Sequence, residues 1–195
     1  MVKLNKIYTR TGDDGSTGLA SGPRRVKYDL RVSAYGSVDE TNSALGIAAL
    51  HVNDWPELAQ MIFRIQNDLF DLGADLATPD DGEPLGYEPL RIVPTQVVRL
   101  EEEIDHLNAI LEPLKSFVLP GGSPASAYLH LARTTSRRAE REMVELAGMT
   151  GEIVSAPALQ YINRLSDFLF VAARYTNHMG AGAKGDILWV PGQNR

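Results

Sequence analysis

Arg133, Arg137 and Arg141 stand four residues apart in the stretch RTTSRRAER. On a helix that spacing stacks them along one side. Guanidiniums so placed repel by roughly a few tenths of a kcal/mol per pair. Leu129, Ala132, Ser136, Ala139, Met143 and Leu146 supply an adjoining stripe of apolar and small residues. The column therefore runs along the flank of a packing face, and something anionic should sit opposite. Planar guanidinium forks match carboxylates from neighbouring helices and the phosphates of a ligand equally well. The plainer alternative is a solvated face with Glu140 and Glu142 as local partners.

A second stretch with chemical potential lies near the N-terminus. Ile7, Thr9 and Thr11 lead into GDDGSTGL, whose glycines, hydroxyls and backbone amides suit either an anion cradle or an ordinary surface turn. No Gly-Lys-Ser/Thr follows at Walker A spacing. The basic run RRVKYDLR comes next and either adds charge to the same site or is solvated. Two other patterns mislead. GAGAKG at 180–185 fits a dinucleotide fingerprint by letter, but it follows a helix and precedes an extended tail, the reverse of the required order. Glu103 and His106 form one E-x-x-H, whereas a di-metal carboxylate bundle needs two, so both read as surface residues. With no cysteine, disulfides, thiolate ligands and a thiol nucleophile are excluded.

The elements that must position these groups are helical. Apolar periodicity predicts helices over 33–52, 57–77, 95–111, 124–148 and 156–179. Ser123-Pro124 offers an N-cap and a first-turn proline for the fourth, and Gly148 an end. On the first helix, Tyr35, Asp39, Asn42, Ser43 and Gly46 form a small, polar stripe suited to an approaching arginine. On the fifth, Asn163, Asp167 and Arg174 mark a polar face. Prolines at 79, 84, 89 and 94 punctuate a long loop, of a kind that is usually functional or mobile. The fold class expected is all-α, an up-and-down bundle of about five helices. It forms a single domain over 1–195, with an N-terminal nucleotide-binding segment at 1–32, a bundle at 33–179 and a tail at 180–195. A net charge of −6 argues against general nucleic-acid binding. No apolar leader or run of membrane length occurs, so a soluble, cytoplasmic protein is expected.

Four separated blocks, IYTRTGDDGSTGL, KYDLRVSAYGSVDETNSALG, FVLPGG, and SRRAER with INRLSDFLFVAAR, together resemble the PduO-type corrinoid adenosyltransferases. They span nearly the whole chain in that family's order. The resemblance implies a homotrimer with active sites between subunits. It also implies transfer of the 5′-deoxyadenosyl group of ATP to the cobalt of cob(I)alamin, with release of triphosphate. By matching motif, Thr9, Arg10, Thr11, Gly12, Asp13, Gly15, Ser16 and Thr17 wrap the triphosphate, with Lys27 adding charge. Arg137, Glu140, Arg141 and Asn163 contact ATP, Asp39 pairs with Arg137 across the subunit boundary, and Phe117 closes the lower face of the corrin. Mg²⁺ is expected mainly on the ATP phosphates, with no protein ligand assigned. A cobalamin reductase or an adenosylcobalamin-dependent enzyme is the expected further partner. KYD stands where KDD is common in the family, and DETNS where DELNS is common. A bundle that only holds ATP or adenosylcobalamin, and a purely structural helical oligomer, are the rival readings.

Overall fold

The computed structural model describes residues 7–80, 82, 85–180 and 183–195. Parts of the expected N-terminal segment, of the proline-rich loop and of the GAGAKG run (residues 1–6, 81, 83, 84, 181 and 182) lie outside the described residues. Five helices follow one another: α1 Leu30–Ala49, α2 Pro56–Leu76, α3 Pro94–Asn108, α4 Pro124–Ala147 and α5 Ala156–His178.

Local chemistry sets their ends. Asp29, inside the basic run, accepts from the Arg31 amide and starts α1 three residues before the apolar spacing does. Ser123 and Ser155 cap α4 and α5 through the amides of Ser126 and Ala158, each followed by a proline in the first turn. Such caps are worth about 1 kcal/mol each. The third helix stops at Asn108, and the chain turns there through a Leu111 amide to Asn108 carbonyl bond.

Between α2 and α4, α1 makes the middle of the bundle, and α5 lies against α4 on one side and α3 on the other. The expected apolar stripes face one shared core, including Leu58, Ile62, Ile65, Leu69, Leu72 and Leu76 of α2 and Leu165, Phe168, Leu169, Ala172 and Ala173 of α5. Polar side chains also close α2 against α3 and α5. Asp68 takes Gln96, Arg99 and the buried Tyr161 hydroxyl, and Glu103 takes Arg64. Glu103 is therefore buried, contrary to the surface role expected from the sequence, whereas His106 is exposed beside Glu57.

Two small extended pieces complete the fold. The N-terminal segment makes a hairpin of β1 Ser16–Thr17 with β2 Arg25–Val26. The tail pairs with the segment before α4 through a bridge between Val118 and Leu188. Among the described residues, no helix is long and apolar enough to cross a membrane.

Candidate active site

Among the described residues, neither the carboxylates of neighbouring helices nor those of α4 itself neutralise the arginine column. Arg138, which stands outside it, takes Glu40 of α1. Glu140 is occupied by Asn163 of α5, whose amide donates to it at 2.6 Å. Among the described residues, Arg133, Arg137 and Arg141 make no ion pair. Arg141 donates to the Arg137 carbonyl at 3.0 Å, and Arg133 donates to His130. Arg133 is half-buried, and burial, then the nearby Arg137 charge, lowers its pKa. A desolvated cation without a counter-ion is costly, and Arg133 has none among the described residues.

The N-terminal loop is a second cationic group. Arg24 crosses it, donating from Nη2 to the Thr11 carbonyl at 2.7 Å and from Nε to the Ser16 hydroxyl at 2.9 Å. The Lys27 amide reaches the Gly15 carbonyl, and its ammonium lies over Gly12, where a Cβ would come within 3.3 Å of Nζ. Asp14 takes the amide and hydroxyl of Ser16, and these bonds lower its pKa. Thr9 and Thr11 share a hydroxyl bond, and Arg10 holds a left-handed backbone conformation. The basic run is thus divided by function: Arg24 and Lys27 face the loop, while Arg25 and Arg31 turn inward to Glu152. Sequence reasoning singled out Lys27 but not Arg24.

No hydrogen bond or ion pair among the described residues joins the 9–17 loop to Arg133, Arg137 or Arg141. Asp39 does not meet Arg137 within the chain either. It is exposed, without an ion pair among the described residues, on the rim of an α1–α2 groove of about 430 Å³ that also includes Tyr35, Gly36, Phe70 and Gly73. A Cβ at Gly36 or Gly73 would touch nothing within 4 Å, so that face is open to an approaching surface. Gly46 and Asn42, on the stripe suited to an approaching arginine, meet Gln66 of α2. Asn42 donates to the Gln66 carbonyl at 3.0 Å, and a Cβ at Gly46 would lie 3.5 Å from the Gln66 amide.

Phe117, in the segment before α4, is 75% exposed, its ring centroid 5.8 Å from that of Trp189. The strand-like pairing holds the two together. Trp189 donates its amide to the Phe117 carbonyl at 2.8 Å, Leu119 to Ile187 at 2.7 Å, and the Ser116 hydroxyl to the Trp189 carbonyl at 2.6 Å. The tail is anchored by Asp186, whose carboxylate accepts from Arg174 at 2.8 Å and lies 3.1 Å from His178 Nε2. Burial alone would raise the Asp186 pKa, but these partners hold it below the ordinary value. Arg174, expected to mark a polar face with Asn163 and Asp167, is buried in this cluster, whereas those two are exposed. Asn177 clamps the Pro-Gly-Gly turn, accepting from the Ser123 amide and donating to the Gly121 carbonyl. A Cβ on Gly122 would lie 2.4 Å from Asn177 Oδ1, at a φ of +102°, so only glycine fits there. Sequence reasoning missed Trp189 and Asp186. The run ILWV after a glycine-rich stretch was the available signal.

The fold and its surface define a class: a five-helix bundle carrying an arginine column without ion pairs among the described residues, a glycine-rich loop crossed by Arg24 and Lys27, and an exposed aromatic pair. The family model for cobalamin adenosyltransferase matches residues 7–176. A corrinoid adenosyltransferase of Mycobacterium leprae is 48% identical over 193 residues, 98% of each chain. Two structures from Lactobacillus reuteri are each 40% identical. One is a phenylalanine-to-histidine variant of a PduO-type ATP:corrinoid adenosyltransferase complexed with cobalamin and ATP (TM-score 0.86, 94% of this chain and 96% of that one). The other is an arginine-to-lysine variant complexed with ATP (TM-score 0.84, 94% and 100%). The chain belongs to the cobalamin adenosyltransferase family and is a transferase.

Proposed function

We infer that the chain transfers the 5′-deoxyadenosyl group of ATP to the cobalt of cob(I)alamin or another reduced corrinoid, at a site between subunits. The observation that carries this reading is an arginine column without an ion pair among the described residues, half-buried at Arg133 and exposed at Arg137 and Arg141. Co(I) attacks C5′ of ATP, the cobalt–carbon bond forms, and the C5′–O bond breaks with its electron pair leaving on triphosphate. The metal is its own nucleophile, so the protein's work is alignment of C5′ over cobalt and stabilisation of charge developing on the leaving group.

Thr9, Arg10, Thr11, Gly12, Asp13, Gly15, Ser16, Thr17 and Lys27 wrap the phosphates, and Arg24 belongs with them. Arg137 and Arg141 neutralise the triphosphate, and the Glu140–Asn163 pair lines the nucleotide. That no hydrogen bond or ion pair joins loop and column among the described residues supports a site completed by a neighbouring copy. In that assembly, a homotrimer, Asp39 meets an arginine of the neighbour's column, with Arg137 the expected partner. Mg²⁺ arrives on the ATP phosphates. No group of three metal-ligating side chains gathers among the described residues, but the exposed Asp13 lies beside the place the phosphates would take. The same reading sets the enzyme in the cytoplasm, with a cobalamin reductase or an adenosylcobalamin-dependent enzyme as further partner.

The test mixes protein, ATP and chemically reduced cobalamin and follows loss of the Co(I) absorbance with product analysis. Intact triphosphate and adenosylcobalamin are expected over many turnovers. Binding of one equivalent without product would leave only a binder, and no ATP-dependent rise in melting temperature would remove the nucleotide site altogether.

Phe117 forms the apolar floor beneath the corrin, and Trp189 braces it. Because its ring is so exposed, Phe117→Ala is expected to leave the melting temperature within about 2 °C, as surface substitutions do. Turnover with cobalamin should fall by roughly tenfold or more, the equivalent of one aromatic contact. ATP affinity, measured by calorimetry without corrinoid, should stay unchanged. Equal loss of ATP affinity would remove Phe117 from the corrin face.

A further inference from the structure

Arg133 is the member of the column whose guanidinium is held by a buried side chain. His130, one turn earlier on α4, is buried, and its Nδ1 lies 3.2 Å from Arg133 Nε. Arginine can only donate, so this ring nitrogen is the acceptor and the imidazole proton sits on Nε2. Burial, then the Arg133 charge, pushes the His130 pKa down to about 4 against the opposing pull of Asp186, so the ring is neutral near pH 7. Phe170 of α5 stands edge-on to it at 6.2 Å.

Nε2 of His130 is buried and has no hydrogen-bond partner among the described residues. A buried donor left unsatisfied is destabilising, and a leucine here would avoid that penalty while still packing against Phe170. Packing therefore does not explain an imidazole at this position, whereas the acceptor that it offers Arg133 does. With Nε engaged, the guanidinium plane is fixed and its two terminal nitrogens remain for a bidentate contact. A fork set in advance loses less rotamer freedom when its anion arrives.

We propose that His130 is a positioning residue that presets the Arg133 fork for an oxyanion at the column. The inference rests on the functional reading given above. That oxyanion has two sources of the same chemistry: the triphosphate of ATP, or the carboxylate of Asp39 from a neighbouring copy.

The variants His130→Leu and His130→Asn test it in the full-length protein. Asparagine places Oδ1 where the imidazole has Nδ1 and keeps the acceptor, and leucine removes it. Kd for ATP is read by calorimetry, kcat and KM by cob(I)alamin turnover, and subunit dissociation by sedimentation on dilution. If triphosphate is the anion, His130→Leu raises Kd and KM for ATP about five- to tenfold, with kcat at saturation within about twofold. If Asp39 of a neighbour is the anion, the same variant raises the dissociation constant of the oligomer by a similar factor. In either case His130→Asn stays within about twofold of the parent. Should leucine prevent folding, His130→Gln replaces it, because its acceptor lies one bond farther out and cannot meet Nε in the same place. Asparagine behaving like leucine or glutamine, or no change in either readout, overturns the proposal. Arg137→Ala run in parallel separates the two failures: if that variant is fully active, the column reading itself is lost, and if it is inactive while the His130 series is flat, only the positioning role is.

Discussion

Arg137→Ala is expected to lower kcat/KM for ATP by about 10²- to 10³-fold, the usual cost of removing one preorganised donor from a developing anion, while the bundle stays folded. Arg137 is exposed and its side chain makes no hydrogen bond or ion pair among the described residues, so its removal breaks nothing inside the chain. Its worth lies in the transition state. Charge grows on the departing triphosphate as the C5′–O bond lengthens, so kcat should fall more than KM rises. Lysine at this position restores the charge but not the planar fork, so Arg137→Lys should recover part of the loss. The measurements are single-turnover rates with saturating ATP, together with a thermal melt. A variant that keeps the parent rate, or one that loses activity only by unfolding, would remove Arg137 from the leaving-group site. Arg141→Ala is a less clean probe, because Arg141 also donates to the Arg137 carbonyl.

That column was readable from spacing alone, and so were the core faces. Ser136, Ala139 and Met143 are buried where the i, i+3, i+7 pattern places them. What spacing could not reveal is which carboxylate goes where. Arg138 and Arg137 are adjacent in sequence, yet Glu40 takes the first and leaves the second bare. The same limit applies to RRVKYDLR, a run that reads as uniformly basic. Arg31 is drawn inward by a glutamate 121 residues away, and Arg24 and Lys27 are left at the loop. Glu103 misled because a carboxylate is normally exposed, and only the approach of Arg64 from α2 permits its burial. The Val118–Leu188 bridge joins segments far apart in sequence: the tail reads as extended, but nothing local names the segment before α4 as its partner. Local periodicity marks faces, and the partner of each polar residue is a tertiary fact.

Glu152→Ala is expected to have the largest effect on stability, and it reaches the site through the fold. Arg31 is 1% exposed, and Glu152 accepts from its Nε at 2.9 Å and its Nη2 at 2.6 Å. The remaining Arg31 donors go to the carbonyls of Leu76 and Ile153 at 2.9 and 3.1 Å. Glu152 also takes Arg25 of β2 at 2.7 Å, so one carboxylate ties the ends of α1 and α2, the α4–α5 link and the N-terminal hairpin together. Removing it strands a buried guanidinium, which costs about 3–5 kcal/mol, a fall in melting temperature on the order of 10 °C for a chain of this size. Replacing both partners, as in Arg31→Met with Glu152→Leu, should recover most of that, because no buried charge is then left unpaired.

The acid side of the stability curve supplies an independent check. Burial raises the Glu152 pKa, but the bonds and charges of Arg25 and Arg31 outweigh it and hold the folded value below the ordinary 4.5. The unfolded chain therefore binds this proton more readily. The stabilisation is fully present above the unfolded value and is lost as pH falls through the folded one. The gap in stability between parent and Glu152→Ala should accordingly narrow as the pH is taken below 4.5 and on through that lower folded value. Because Arg25 lies two residues before Lys27, the variant should also bind ATP more weakly at temperatures where it remains folded. A melt lowered as expected with ATP affinity intact would show that the loop holds its shape without this anchor, and that the hairpin's own bonds from Arg24 and Lys27 are sufficient.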